Sequence, residues 1–165
     1  MEAIFTRTSV RSYESRSIED EKIEKILRAA MAAPSAMNQQ PWEFYVVTKK
    51  SALQQISEAS PYAGMTADAP AAFVLCYRKT GIKVPELVHV DMALATENLL
   101  LEIEALGLGG VMLGIAPFEE RMEKVAKAID LPGHLAVFTV VPVGYPAKKN
   151  PQQDRYDAAR VHIIK

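Results

Sequence analysis

The chain has 165 residues, 49% of them hydrophobic and 24% charged, with a formal net charge of −1. This length fits a single domain, 1–165, with enough chain to bury a core. The near-zero charge excludes a general attraction to nucleic acid or an anionic membrane. A lone cysteine, Cys76, excludes an internal disulfide and a multi-thiolate metal site.

The first residues, MEAIFTRTSVRSYE, spread their charges and lack an apolar stretch of signal-peptide length. No run approaches the ~18 apolar residues of a membrane span, so a cytoplasmic protein is expected. Arg7, Arg11 and Arg16 follow with one acid among them. If this piece is a helical turn, Arg7 and Arg11 share a face and repel unless an anion lies between them. Two solvated surface arginines account for them equally well.

Ser17 reads as a helix N-cap, with Glu19, Asp20 and Glu21 at the positive helix end. Ile23, Ile26, Leu27, Ala30 and Met31 recur at helical spacing, and Pro34 stops the helix. The stretch that follows, APSAMNQQPWEF from Ala33 to Phe44, holds two prolines, the only tryptophan and many small or amide side chains. It has more hydrogen-bonding groups than a helix stop requires. It is either a loop whose amides serve its own backbone or a binding loop.

Glu43 to Thr48 reads as a strand. Ser51 opens a second helix with Leu53 and Ile56 inward, broken by Pro61 and Gly64. Ala71 to Tyr77 is an almost continuous apolar run, the mark of a central strand buried on both faces, and it makes Cys76 a small buried hydrophobe. After a turn at Lys79 to Pro85, a long helix runs from Glu86 to Leu106 on Val88, Met92, Ala95, Leu99 and Ile103. Leu94, Leu100 and Leu101 widen its apolar stripe, which predicts burial on most sides. Asp91, Glu97 and Asn98 are polar positions in that apolar surround. Gly110 to Ile115 is a short strand or extended loop. Met122, Val125, Ala128 and Ile129 carry another helix, and His134 to Tyr145 is the longest β-like run. Val161 to Ile164 has strand composition and must pair with its own sheet or another subunit. The alternation of strands and helices favours an α/β layered arrangement.

Leu106 to Gly114, LGLGGVMLG, fails the dinucleotide-binding fingerprint in spacing, and it follows a helix instead of a strand. His89, His134 and His162 stand far apart, with no metal-ligand spacing. A Ser-His-Asp hydrolase stays open, because triads are defined by geometry, but no serine has a G-x-S-x-G context. What remains is Arg7, Ser9 and Arg11, then Ser35, Asn38 and Gln40, a glycine-rich turn, and Arg155. Arginine forks suit a phosphate, and small residues suit a flat ring that must be approached closely. With few acid–base groups in evidence, a bound cofactor would carry the chemistry.

These stretches resemble the nitroreductase family of flavin enzymes, as a short-chain member. RTSVRSY at Arg7 to Tyr13 is similar to that family's R-x-S-x-R flavin motif, and APSAMNQQPWEF to its P-S-x-x-N-x-Q-P-W loop. DAPAAFVL, ENLLLEIEALGLGGVMLGI and VVPVGYPAKKNPQQDR resemble a strand, the central helix with its glycine strand, and the phosphate-binding tail, in the family's order. The resemblance implies an α+β fold: a mixed, mainly antiparallel sheet flanked by helices, in an intertwined homodimer with exchanged C-terminal strands. It implies FMN as cofactor and NADH or NADPH as electron donor, with a nitroaromatic, quinone or similar acceptor served in ping-pong fashion. A flavin-binding sensor or carrier with negligible turnover is the alternative, and an unrelated small-ligand module a third reading.

Carried over position by position, Arg7, Thr8, Ser9 and Arg11 would hold the FMN phosphate, ribityl chain and pyrimidine edge, with Arg155 adding to the phosphate site. Pro34, Ser35, Ala36, Met37 and Asn38 would approach the ring from the other subunit. Met112, Leu113 and Gly114 would line it, with the Gly114 amide near flavin N5. No side chain is assigned as catalytic. The chain departs from longer relatives in having little between Tyr77 and Val90, where they insert a flavin cover. It has no lysine between Tyr62 and Asp68, and it has Gln153 where a phosphate-site lysine is expected.

Overall fold

The computed structural model describes residues 2–148, 151–152 and 154–165, so Gln153 lies outside the described residues. Five strands form one sheet in the order β1 (Trp42–Val47), β2 (Ala71–Arg78), β5 (Leu135–Gly144), β3 (Gly109–Gly110), with β4 (Leu113–Gly114) also on β5. All four strand pairings are antiparallel. The one parallel contact of the N-terminal segment is an isolated bridge, Ser9 to Gly110.

Two helix layers cover the sheet. α2 (Asp20–Met31) and α4 (Val88–Ala105) pack on one face, with Ile26, Met92, Leu99 and Ile103 against Phe73, Leu75, Val141 and Val143. α3 (Lys50–Ser57) and α5 (Glu119–Ala128) pack on the other, with Leu53, Ile56 and Val125 against Val74, Cys76, Val137 and Val140. The period-2 alternation of β2 thus feeds both cores, and β5 is buried at all ten positions. A short N-terminal helix, α1 (Ala3–Thr6), lies against α4.

β3 and β4 share one edge of β5. Their ladder is interrupted between Gly110, paired with Val143, and Leu113, paired with Val140. Pro142 stands opposite that gap and has no N–H to donate. Its carbonyl instead accepts from the Tyr13 hydroxyl at 3.1 Å. Val10 N–H donates to the Gly110 carbonyl at 3.0 Å, which seats the N-terminal segment on the glycine strand. Gly109 permits that approach, since a Cβ there would stand 2.6 Å from Val10 Cγ2.

Three expectations are corrected. α2 begins at Asp20 with Glu19 at the N-cap, not Ser17. The Glu19 carboxylate is drawn away from capping: the Tyr145 hydroxyl donates to it, and Arg16 pairs with it at 2.8 Å. Those bonds, the Tyr145 one first, hold Glu19 down at about 2. α1 ends at Thr6 and Arg7 is already extended, at φ −59° and ψ 128°, so Arg7 and Arg11 do not share a helix face. α4 is buried on the sheet side, but Val90 and Leu94 are exposed at 53% and 41%. Val161, Ile163 and Ile164 are also exposed and form no strand in this sheet.

Gly109→Ala should push Val10 off β3 and cost about 1–3 kcal/mol by overpacking. Thermal unfolding checks this, and an unchanged midpoint would show that the contact is not tight.

Candidate active site

The helix stop and the loop behind it are built around one carboxylate. Asp91 lies in the first turn of α4 and is only 2% exposed. A buried carboxylate must be hydrogen-bonded, and both its oxygens are used. Ala36 N–H donates to Oδ1 at 2.9 Å, and Gln39 Nε2 donates to Oδ2 at 2.6 Å. The buried Gln39 amide also pairs with the Val84 backbone, accepting its N–H at 2.9 Å and donating to its carbonyl at 3.2 Å.

Cations hold the loop's carbonyls. Arg78 Nη2 donates to the carbonyls of Gln39 and Gln40 at 2.9 and 3.1 Å, and Lys83 Nζ to that of Met37 at 3.3 Å. This network fixes Met37, Asn38 and Gln40 at φ of 51°, 51° and 44°. Left-handed backbone at non-glycine residues costs of order 1 kcal/mol or more each and persists only where surroundings over-determine it. The result is a stiff turn that presents Pro34, Met37 and Asn38 to solvent, with Ser35 and Ala36 half-buried. Ser35 Oγ accepts from Gln40 N–H at 3.0 Å, so this hydroxyl serves the loop's own backbone and keeps its proton to donate elsewhere.

The second cluster lies along the glycine edge of the sheet. The Ser9–Gly110 bridge lays the Thr8–Arg11 segment beside β3, which leads through Val111 and Met112 to β4. Ser9 and Arg11 are exposed, while the Thr8 hydroxyl is buried without a partner among the described residues. Arg7 and Arg155 line one open cleft of about 550 Å3 with Phe5, Glu97 and Tyr156. Arg7 Nε stands 3.8 Å from Glu97 Oε1, and Gln152 donates to the Arg7 carbonyl at 2.8 Å. Met112 and Gly114 are exposed, and Leu113 is buried.

The structure therefore brings Arg7 together with Arg155, and Thr8, Ser9 and Arg11 with the strand leading to Met112, Leu113 and Gly114. Pro34 to Asn38 do not line the arginine cleft. A larger hollow of about 890 Å3 lies between β1 and α5 and contains no predicted site residue. Sequence reasoning missed Gln39 and Arg78 as the parts that shape the loop. Asp91 was visible as a polar position on an apolar helix but had no assigned task.

An antiparallel sheet between two helix layers, with an arginine-bearing segment laid on a glycine edge and a stiff amide loop, is the nitroreductase type of α+β sandwich. The Nitroreductase family model matches residues 4–80 and 59–145. A protein of Archaeoglobus fulgidus, provisionally named NADH dehydrogenase/NAD(P)H nitroreductase, is 43% identical over 98% of this chain and 95% of its own. A crystal structure from Clostridium acetobutylicum, provisionally named NADH oxidase, superposes with a TM-score of 0.94 at 45% identity, covering 99% of both chains. A Desulfovibrio desulfuricans structure, provisionally named a nitroreductase and solved in complex with FMN, gives 0.81 at 26% identity over 99% of this chain and 95% of its own. The chain belongs to the nitroreductase family.

Asp91→Ala should leave the Ala36 N–H without its acceptor and release the strained turn, at a cost of about 2–4 kcal/mol. Thermal unfolding and proteolysis between residues 35 and 40 check this. A stable variant with an uncut loop would assign the turn's stiffness to Arg78 and Val84 instead.

Proposed function

We propose that the protein is an FMN-dependent oxidoreductase that passes reducing equivalents from NAD(P)H to a small acceptor such as a nitroaromatic or quinone, the two substrates using one site in turn. The observation that carries this is the joint placement of Arg7 and Arg155 in one cleft, with Ser9, two residues after Arg7, bridged to the glycine strand. The residues present suit FMN. The buried Thr8 hydroxyl, without a partner among the described residues, is a donor in need of an acceptor, two arginines suit a phosphate, and exposed Gly114 leaves room for a flat ring.

When bound, FMN would supply the hydride and electron chemistry that protein side chains lack. Arg7 and Arg155 would bind its phosphate, and Arg7 would exchange its long Glu97 contact for a shorter charge-assisted one. Thr8, Ser9 and Arg11 would orient the polar chain and ring edge along β3. Met112, Leu113 and Gly114 would form the wall behind the ring.

The loop Pro34–Asn38 would complete the site from a second copy, in a homodimer. The apolar residues left open on one chain support this: Phe5 and Met31, Val90 and Leu94 on α4, and the C-terminal Ile163 and Ile164. No helix among the described residues is long and apolar enough to cross a membrane. The short connection from Arg78 to Val88, with one 3-10 turn at Pro85–Leu87, supplies little cover for the ring. It favours the sensor or carrier reading as the second choice.

Replacing Arg7 and Arg155 together with Ala should weaken FMN binding by about 100- to 10,000-fold, the scale of losing two charge-assisted hydrogen bonds. Fluorescence titration measures it. Unchanged affinity would remove the phosphate from this cleft. Steady-state NADH and NADPH oxidation with an acceptor panel separates enzyme from sensor, the latter binding FMN tightly with negligible turnover.

A further inference from the structure

Gly114 is held from both sides by donors that the sheet itself does not need. Its φ lies outside the left-handed region, and a Cβ there would meet only Arg121 Nη1, 4.0 Å away. Neither backbone strain nor packing therefore demands a glycine. The open space on this edge suits a group that approaches the backbone.

The peptide before Gly114 is bonded by a side chain from the neighbouring strand. Thr139 is the only polar side chain of β5, which reads LAVFTVVPVG. It is fully buried, and its hydroxyl donates to the Leu113 carbonyl at 2.6 Å. A register shift opposite Leu75 and Cys76 leaves Phe138 unpaired as a β-bulge directly before Thr139, the kind of irregularity that re-aims groups next to active sites. The peptide after Gly114 is bonded from α5. Arg121 Nη1 donates to the Gly114 carbonyl at 2.7 Å, and its guanidinium lies 4.1 Å over the half-exposed Phe118 ring.

We propose that Thr139 and Arg121 are positioning residues for the Gly114 amide, Thr139 polarising it toward the bound ring and Arg121 fixing the peptide that follows it. The Leu113 carbonyl and the Gly114 N–H belong to one peptide group. A hydrogen bond accepted by that carbonyl makes the N–H a stronger donor. Such a donor favours the electron-rich, reduced ring over the oxidised one, so Thr139 raises the reduction potential without touching the cofactor. Arg121 locks the next peptide and adds positive charge on the same side. This rests on the FMN reading given above.

The test is the midpoint potential of bound FMN, by reference-dye titration, beside the affinity for oxidised FMN. Thr139→Val should keep oxidised affinity within about twofold while the preference for reduced FMN falls about 3- to 10-fold, the size of one weakened hydrogen bond. This appears as a more negative potential, and Thr139→Ser should restore it. Arg121→Met, on an outer helix, should shift the potential the same way and decides the matter if Thr139→Val does not fold. An unchanged potential in yellow, folded variants overturns the proposal alone. A wild-type chain that takes up no FMN overturns the flavin reading, and the proposal with it.

Discussion

The carboxylate of Asp91 is the constraint on which the candidate site depends. It is buried at the start of the central helix, and a charge in that position must be compensated where it lies. The compensation comes from the loop, through the Ala36 N–H and the Gln39 amide. The same helix meets the arginine cleft two turns later through Glu97 and ties down the end of α2 through Asn98, whose amide donates to the Ala29 carbonyl at 3.1 Å. One helix therefore sets where the loop, the cleft and α2 lie relative to the sheet. Its polar side chains look misplaced on an apolar stripe because they act as the joints of the site.

That arrangement explains why the loop can be both strained and rigid. Three consecutive-region residues with left-handed backbone would relax in an isolated peptide. Here the Gln40 N–H donates to the Ser35 hydroxyl, the carbonyls of Met37 and Gln40 accept from Lys83 and Arg78, and the adjoining Ala36 N–H donates to the Asp91 carboxylate. Order in the loop before any ligand arrives spares the entropy of ordering it on binding.

Much of the fold was legible. β2 is a continuous apolar run and lies at the sheet's centre, and the 3.6-residue pattern of Val88 to Ile103 gave α4 within two residues of its observed start. The family motifs pointed to the residues that line the arginine cleft and the glycine edge. What was not legible depends on distant partners. Ser17 has the chemistry of a cap, but the helix starts after Glu19, whose carboxylate does no capping and is held by Tyr145, far along the chain. Arg7 and Arg11 have helical spacing, but pairing with Gly110 pulls the segment into extended form. Thr139 is one letter in an apolar strand, and only the register of β4 on β5 gives it a partner. The break between β3 and β4 follows from Pro142, whose missing N–H matters only once its neighbour is known.

The central claim is that the site is made of two halves, an arginine and glycine edge on one chain and the Asp91-held loop on another. The direct measurement is FMN stoichiometry in a heterodimer, purified with two different tags, of an Arg7→Ala/Arg11→Ala chain with a chain whose Ser35 to Asn38 is replaced by glycines. Each homodimer should bind FMN poorly. The heterodimer should regain one tight site per dimer, because one chain supplies an intact edge and the other an intact loop. A heterodimer that binds no better than either homodimer would contradict the account, since each chain would then carry its own complete site.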